Sequence, residues 1–399
     1  MSLPIHVHVC MQVGIKAVDR GQVGPHNLCG PEVAGLDATR DLNCREPGRG
    51  ALVQLGVRLI ATLSKSTESL GDAQRSPRIS DSSVARPAAV DRLRDTIKCA
   101  VTYSIVARDR KTGEFGVAVQ SHYFQVGPVV PWALAGVGAV ATQSQVNISY
   151  GPLGLELLQA GYTAEQALRA LIAADPGAEL RQCAIVDAAG NVAAHTGAKC
   201  IPAAGHLLGD GFSCQANLME RDTVWGAMAA AYALADAPLA ERMMAALEAA
   251  EAEGGDIRGR QSAAMLVVSG SGTGRPWEDR LIDLRVEDAP EPLQELRRLI
   301  HIRRAYAADA EADLLDEAGD AAAAGAKRQK ALELAPEIVE LRFWAGVAMA
   351  ESGDLDGASA LIAEAVKDDA RWLETLRRLV SVDRLSAEKA AAIEARVSK

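Results

Sequence analysis

The stretch VTYSIVARDRKTGEFGVAVQS, residues 101–121, reads as a β-hairpin: an alternating run, a polar turn at KTGE, and a second run. It looks like the opening of a domain, yet one hundred residues precede it. Residues 1–100 hold six prolines and none of the five Trp, six Tyr and four Phe of the chain. They carry 13 Lys plus Arg against 10 Asp plus Glu, a local +3 in a chain whose net charge is −10. Without large apolar side chains such a segment builds little core, and it is expected to be a disordered extension or a mis-assigned start. No methionine falls between Met11 and Met219, so a native start near residue 101 needs a codon other than ATG. Val101 is what a GTG start looks like when read in frame, and the native chain is expected to begin there.

The 399 residues leave room for more than one domain, and 49% apolar with 24% charged residues is an ordinary globular balance. The acidic net charge argues against nucleic acid or an anionic membrane surface as a partner. No run of 18 apolar residues is present, and MSLPIHVHVC has neither the basic region nor the long apolar stretch of a secretory signal. Seven cysteines at irregular spacing suit free thiols in a reducing cytoplasm, which is the expected location.

Along the chain, Ser104–Arg108 and Gly116–Gln120 read as the strands of the hairpin, and Gly136–Ala141 as a third strand. Helices are expected over Leu153–Gln159 and from the capping-box pattern Thr163-Ala-Glu-Gln166 to about Asp175. Strands follow at Gln182–Asp187, Val192–Thr196 and Phe212–Asn217, a helix pair at 222–234 and 239–253, and strands at Ser262–Val268 and Leu281–Val286. Met243, Met244 and Leu247 sit at helical spacing and read as core filler. Strand blocks separated by helix pairs suit two stacked antiparallel sheets covered by helices, a four-layer αββα sandwich over residues 101–290. From Pro292 onward the pattern is helical, and Gly319-Asp320 recurs as Gly353-Asp354 at an offset of 34, the tetratricopeptide period. Residues 291–399 are therefore expected to form tetratricopeptide-like helix hairpins that present a surface to a protein partner; a generic helix hairpin is the alternative.

In a strand, Thr102 and Ser104 face the same way. A hydroxyl at the start of the first strand of an αββα sandwich is what an N-terminal-nucleophile (Ntn) hydrolase requires, because the free α-amino group of that residue acts as base for its own side chain. Thr102 and Ser104 are accordingly the candidate catalytic pair. Ser121 and His122 end the neighbouring strand and are expected at the mouth of the same pocket. Gln215 and Asn217, in CQAN, offer amide N–H groups to a developing oxyanion. Asp256, Arg258 and Arg260 lie in one loop, where the arginines either clamp an anionic group of the substrate or are held by Asp256 in an ion pair. His195, Cys200, His206 and Cys214 match no zinc-site spacing, and no phosphate loop, nucleophile elbow or zinc-protease helix is present, so no metal or cofactor is expected.

These blocks resemble the domain-of-unknown-function 1028 family of bacteria, in the Ntn-hydrolase-like superfamily. The resemblance rests on TYSIVARD at 102–109, GVAVQS at 116–121, VVPW at 129–132, AGVGAVATQ at 135–143, SYGP at 149–152, GDIRGRQSA at 255–263 and DLRV at 283–286. It implies the sandwich fold and a start immediately before the Ser-Ile-Val-Ala block. It carries no assigned reaction; the superfamily's usual chemistry, amide hydrolysis through an acyl-enzyme, makes a small or peptide-like amide the expected substrate. A binding module without chemistry is the alternative, and both admit a homo-oligomer.

Overall fold

A computed structural model of the chain describes residues 102–397. The expectations for residues 1–100 and for a start at Val101 lie outside the described residues. β1 (Thr102–Arg108) and β2 (Phe115–Ser121) pair antiparallel from Thr102↔Ser121 to Arg108↔Phe115. Their turn is held by the Asp109 carboxylate, which accepts the N–H groups of Lys111 and Thr112, both at 2.8 Å. Two antiparallel sheets form. The six-stranded sheet runs in the order β10 (Arg280–Val286), β9 (Ser262–Val268), β2, β1, β8 (Phe212–Asn217), β7 (Gly205–Gly209). The four-stranded sheet runs β3 (Pro131–Leu134), β4 (Gly138–Ser144), β5 (Arg181–Asp187), β6 (Val192–Thr196).

β3 and β7 are strands that the sequence pattern does not reveal. Both are short outer strands, where pairing is needed on one side only. Pro131, which has no N–H to give, opens one, and glycines bracket the other. The third expected strand begins at Gly138 instead of Gly136, because Gly136 has φ +72° and belongs to the turn.

Side-chain alternation divides the core. Tyr103, Ile105 and Ala107 of β1 join a cluster with Met228, Met243, Met244 and Leu247 of α3 (Val224–Leu234) and α4 (Leu239–Ala252). Val106, with Val117 and Val119, faces Ala139, Ala141, Ala184 and Val186 of the other sheet. Val140, Cys183 and Ile185 point away from that interface and pack under α1 (Tyr150–Gln159) and α2 (Ala164–Ala174). The capping box is present at the start of α2, with Thr163 and Gln166 each hydrogen-bonded to the other's backbone. Both faces of both sheets are thus covered, which explains why β9, SAAMLVV, reads as an almost continuous apolar run.

An all-helical region follows: α5 (Pro292–Glu317), α6 (Ala321–Leu334), α7 (Val339–Ser352), α8 (Leu355–Asp368), α9 (Arg371–Ser381) and α10 (Ala387–Val397). The chain is an α+β protein with a helical C-terminal part. Leu293, Leu296 and Ile300 of α5 enter the core beneath α3 and α4, and Arg297 bridges Glu248 (2.6 Å) and Glu241 (3.2 Å) of α4. The repeated Gly-Asp pairs make the same turn twice: Gly319 (φ +82°) and Gly353 (φ +98°) are left-handed, and the Asp320 and Asp354 carboxylates cap the next helix. Trp344 and Trp372 flank Phe343, with ring centroids 5.3 and 4.7 Å away. No described helix is long and apolar enough to cross a membrane.

Gly353→Ala forces a β-carbon into a left-handed backbone and should cost about 1–2 kcal/mol, and Asp354→Ala about 1 kcal/mol. Gly325→Ala, inside α6 with open space around it, should instead stabilise by about 0.5–1 kcal/mol. Amide hydrogen exchange across α6–α8 reads all three, and equal signs would contradict this account.

Candidate active site

The starts of β1, β5, β7 and β9 and the ends of β2, β4, β6 and β8 meet at one end of the paired sheets, and antiparallel register sets the partners there. Thr102 lies opposite Ser121 on one side and Asn217 on the other, and Ser104 lies opposite Gln215. The Thr102 hydroxyl donates to Ser121 Oγ at 3.1 Å. Ser104 donates to Gln143 Oε1 and accepts from Gln215 Nε2, both at 2.6 Å, while Gln215 Oε1 accepts from Ser213 at 2.8 Å. Gln143, on the facing sheet, donates to Gln182 Oε1 (2.7 Å) and to the Thr102 carbonyl (3.2 Å). Asn217 Nδ2 donates to the same two oxygens at 3.0 and 3.4 Å. Thr102, Ser104, Ser121, Gln143, Gln182, Gln215 and Asn217 are all fully buried. The result is an uncharged web of hydroxyls and amides that crosses from one sheet to the other.

The 256–260 loop borders this end. Asp256, its side chain fully buried, accepts the N–H groups of His122 and Arg258 at 3.0 Å and the Arg258 guanidinium at 2.9 and 3.1 Å. Arg260 turns the other way, to Glu251 of α4 and to Glu291 at the entry of α5. The Glu251 carboxylate also accepts the Tyr103 hydroxyl at 2.6 Å, and burial together with that carboxylate pushes the Tyr103 pKa up. His122 is exposed, with its Nδ1 3.2 Å from the Arg260 carbonyl. Both arginines are therefore engaged by carboxylates of the chain, Arg258 by its sequence neighbour Asp256 and Arg260 by two residues distant in sequence.

The model of a family described as a family of unknown function (DUF1028) matches residues 102–296. The chain belongs to this DUF1028 family. A crystal structure of protein SPO2555 from Silicibacter pomeroyi, itself assigned to DUF1028, is 31% identical, with a TM-score of 0.46 over 50% of this chain and 85% of that one. No curated protein matches the chain.

In this DUF1028 chain Gln143 and Gln182 are site residues that the sequence pattern does not single out. Their one signal was a polar amide at the end of an otherwise apolar strand, GAVATQ and QCAIV. The four His and Cys weighed for metal lie apart in their contacts. His195 Nε2 is 2.9 Å from the Ala178 carbonyl, His206 Nδ1 is 2.8 Å from Thr196 Oγ1, and Cys200 donates to the Arg181 carbonyl. Cys214 is buried on the helix-covered face, where burial pushes its thiol pKa up. No group of three or more possible metal ligands gathers among the described residues. On the neighbouring β4–α1 side, Asp175 accepts from Arg181, Gly177, Asn147 and Tyr150. Burial alone would raise its pKa, but these donors, Arg181 first, bring it down to about 2.

Gln120 has the opposite character to Gln143. It is fully buried on the helix-covered face, and neither polar atom of its amide has a partner among the described residues. Gln120→Met, similar in length, should therefore stabilise the chain by about 1–3 kcal/mol. Gln143→Met strands Ser104 and Gln182 and should destabilise by a similar amount, about 1–3 kcal/mol. Chemical denaturation compares the pair, and a stabilised Gln143→Met would show that the web does not hold the sheets.

Proposed function

We propose that this chain is an amide-bond hydrolase of the N-terminal-nucleophile type, folded as that superfamily's four-layer αββα sandwich, with Thr102 as nucleophile once its own α-amino group is free. The supporting observation is the place of Thr102: first residue of a central strand, side chain between the sheets, bonded to the Ser121 hydroxyl, with Ser104 beside it on the amides of Gln143 and Gln215. A hydroxyl or an amide is no base at neutral pH, whereas an α-amino group with a pKa of about 8 is one.

The chemistry follows in order. The free amine takes the hydroxyl proton as Thr102 Oγ1 bonds to the carbonyl carbon of a small or peptide-like amide. The negative charge that develops on the carbonyl oxygen is met by N–H groups of Asn217 and Gln143, the donors beside the Thr102 carbonyl. The C–N bond then breaks and the proton passes to the leaving amine. Water cleaves the resulting ester and restores the hydroxyl. Ser104, tied to Gln143 and Gln215, positions those amides. In the full chain the Thr102 nitrogen is in a peptide bond to residue 101 and the side chain is enclosed, so this chemistry is switched off.

Two proteins should therefore be compared on a panel of amino-acid and acyl p-nitroanilides: the full chain, and a shorter chain whose first residue is Thr102 after removal of an initiator Met. Turnover is expected only from the shorter chain, and Thr102→Ala in it should lower kcat/KM by about 10³-fold or more. Equal turnover by both chains overturns the mechanism, because an acylated amine cannot act as base.

A second reading, a binding module whose tetratricopeptide-like tail recruits a protein, is favoured by the groove between α5 and α7. Asp309, Asp313, Glu340 and Glu351 line it beside Trp344, around a cavity of about 260 Å³. Two arginines also line it: Arg328 is held by Asp313 and Asp316, and Arg384 lies over the Trp344 ring, so four carboxylates face two cations, an excess suited to a basic segment of a partner. A fluorescent oligolysine peptide should bind the full chain, and Glu351→Gln with Asp309→Asn should weaken it by about 10-fold. Unchanged binding in that double variant removes this reading.

A further inference from the structure

A second cavity opens behind Gln182, on the side away from the 256–260 loop. Residues 197–204 leave β6 and return as β7, and with Trp225 at the start of α3 they border an open cavity of about 560 Å³. That volume is within the range of small-molecule sites, about 300–1,000 Å³. The wall is held in place from several directions. Gly197 N–H donates to the Arg181 carbonyl (3.0 Å) and Lys199 N–H to the Glu179 carbonyl (2.8 Å). On the far side, the Ala203 carbonyl accepts from Met219 N–H at 3.2 Å, although Ala203 itself is held at φ +56°, a left-handed conformation that alanine rarely adopts. A β-carbon at position 205 would lie 2.5 Å from the Trp225 ring, so the indole can sit directly on the Gly205 backbone. The cavity is therefore shaped by anchored backbone and by one aromatic face.

Its polar groups converge. Thr196 Oγ1 accepts from Gln182 Nε2 at 2.9 Å and lies 2.8 Å from His206 Nδ1. Burial, and next the nearby His195, push the His206 pKa down, and its Nδ1 is taken up by Thr196. With Gln182 also on Thr196 Oγ1, the neutral pair is left with one donor and one acceptor, whichever way the Thr196–His206 bond runs. The described lining holds no carboxylate, lysine or arginine. A charged ligand would gain no counter-charge there, and a purely apolar one would cover that remaining donor and acceptor without pairing them. Trp225 and Pro202 supply an apolar wall for a flat body.

We propose that this cavity is a binding site for a small uncharged carboxamide, with its amide group on Thr196 and His206 and its body against Trp225 and Pro202. Such a group donates and accepts at once, as the two side chains require. Occupancy is also felt at Thr102, because Thr196 is bonded to Gln182, whose Oε1 holds Gln143 and Asn217 beside the Thr102 carbonyl. The site does not depend on Thr102 being a nucleophile.

The test uses the full chain labelled with ¹⁵N-histidine and ¹⁵N-glutamine, titrated with benzamide, benzoate and benzamidinium, three probes of similar planar shape and different charge. Benzamide is expected to shift the His206 ring and Gln182 side-chain signals saturably, and to bind about 10-fold more tightly than either charged probe. Thr196→Val should weaken benzamide about 10-fold, the loss of about one hydrogen bond at a half-buried hydroxyl. Trp225→Leu should weaken it as well, with the far-UV circular dichroism spectrum unchanged. Benzamide binding no tighter than the charged probes overturns the proposal, and so does undiminished binding to a folded Thr196→Val. If either variant fails to fold, the charge series on the parent chain still decides.

Discussion

The side-chain oxygen of Gln182 accepts two N–H donors from opposite layers, Gln143 beside it in the four-stranded sheet and Asn217 across the gap. Interfaces between stacked sheets are ordinarily apolar, and the middle of this one is. A buried amide there stabilises only when every donor and acceptor is matched. The web meets that condition closely: among the described residues, Asn217 Oδ1 is the one amide atom of the web with no partner. It therefore acts as a registration device. Slipping β4 or β5 by one residue in its strand pairing would turn Gln143 or Gln182 to the helix-covered face and strand its partners, whereas the valines and alanines of the middle carry no such polar requirement.

The two arms of the structure depend on that end of the sheets in different ways. On one side, the loop carrying Asp256 fixes the end of β2 through the His122 N–H, and Arg260 carries the connection onward to α4 and to the entry of α5. Arg297 and Arg304 repeat the link one and three turns further along α5, both reaching Glu241. The helical region is thus joined to the sheets by charge-assisted contacts laid over an apolar seam of Leu293, Leu296 and Ile300.

Much of this was legible in the sequence because it is local. Alternation in TYSIVAR and FGVAVQS gives the hairpin, Thr163 and Gln166 sit three residues apart as a cap demands, and Gly-Asp repeats where two helices turn. What was hidden is long-range or short in extent. β3 and β7 are too brief, and too rich in proline or glycine, for their period to show. Gln143 and Gln182 acquire meaning only when β4 lies beside β5 and faces β1 and β8, partners 34 to 72 residues away. Arg260 misleads for the same reason: Asp256 is near in sequence, but Glu251 and Glu291 are near in space.

Cys183 and Cys214 add a consequence of a different kind. Both are free thiols, both are wholly enclosed, and each belongs to a separate layer: Cys183 beneath α1 and α2, Cys214 beneath α3 and α4. Burial keeps them protonated and out of reach of electrophiles while the layers are closed. The molecule thereby contains two internal clocks. The rate at which each sulfur becomes alkylated reports how often its own pair of helices lifts from its own sheet, so the breathing of the two outer layers can be timed separately within one chain.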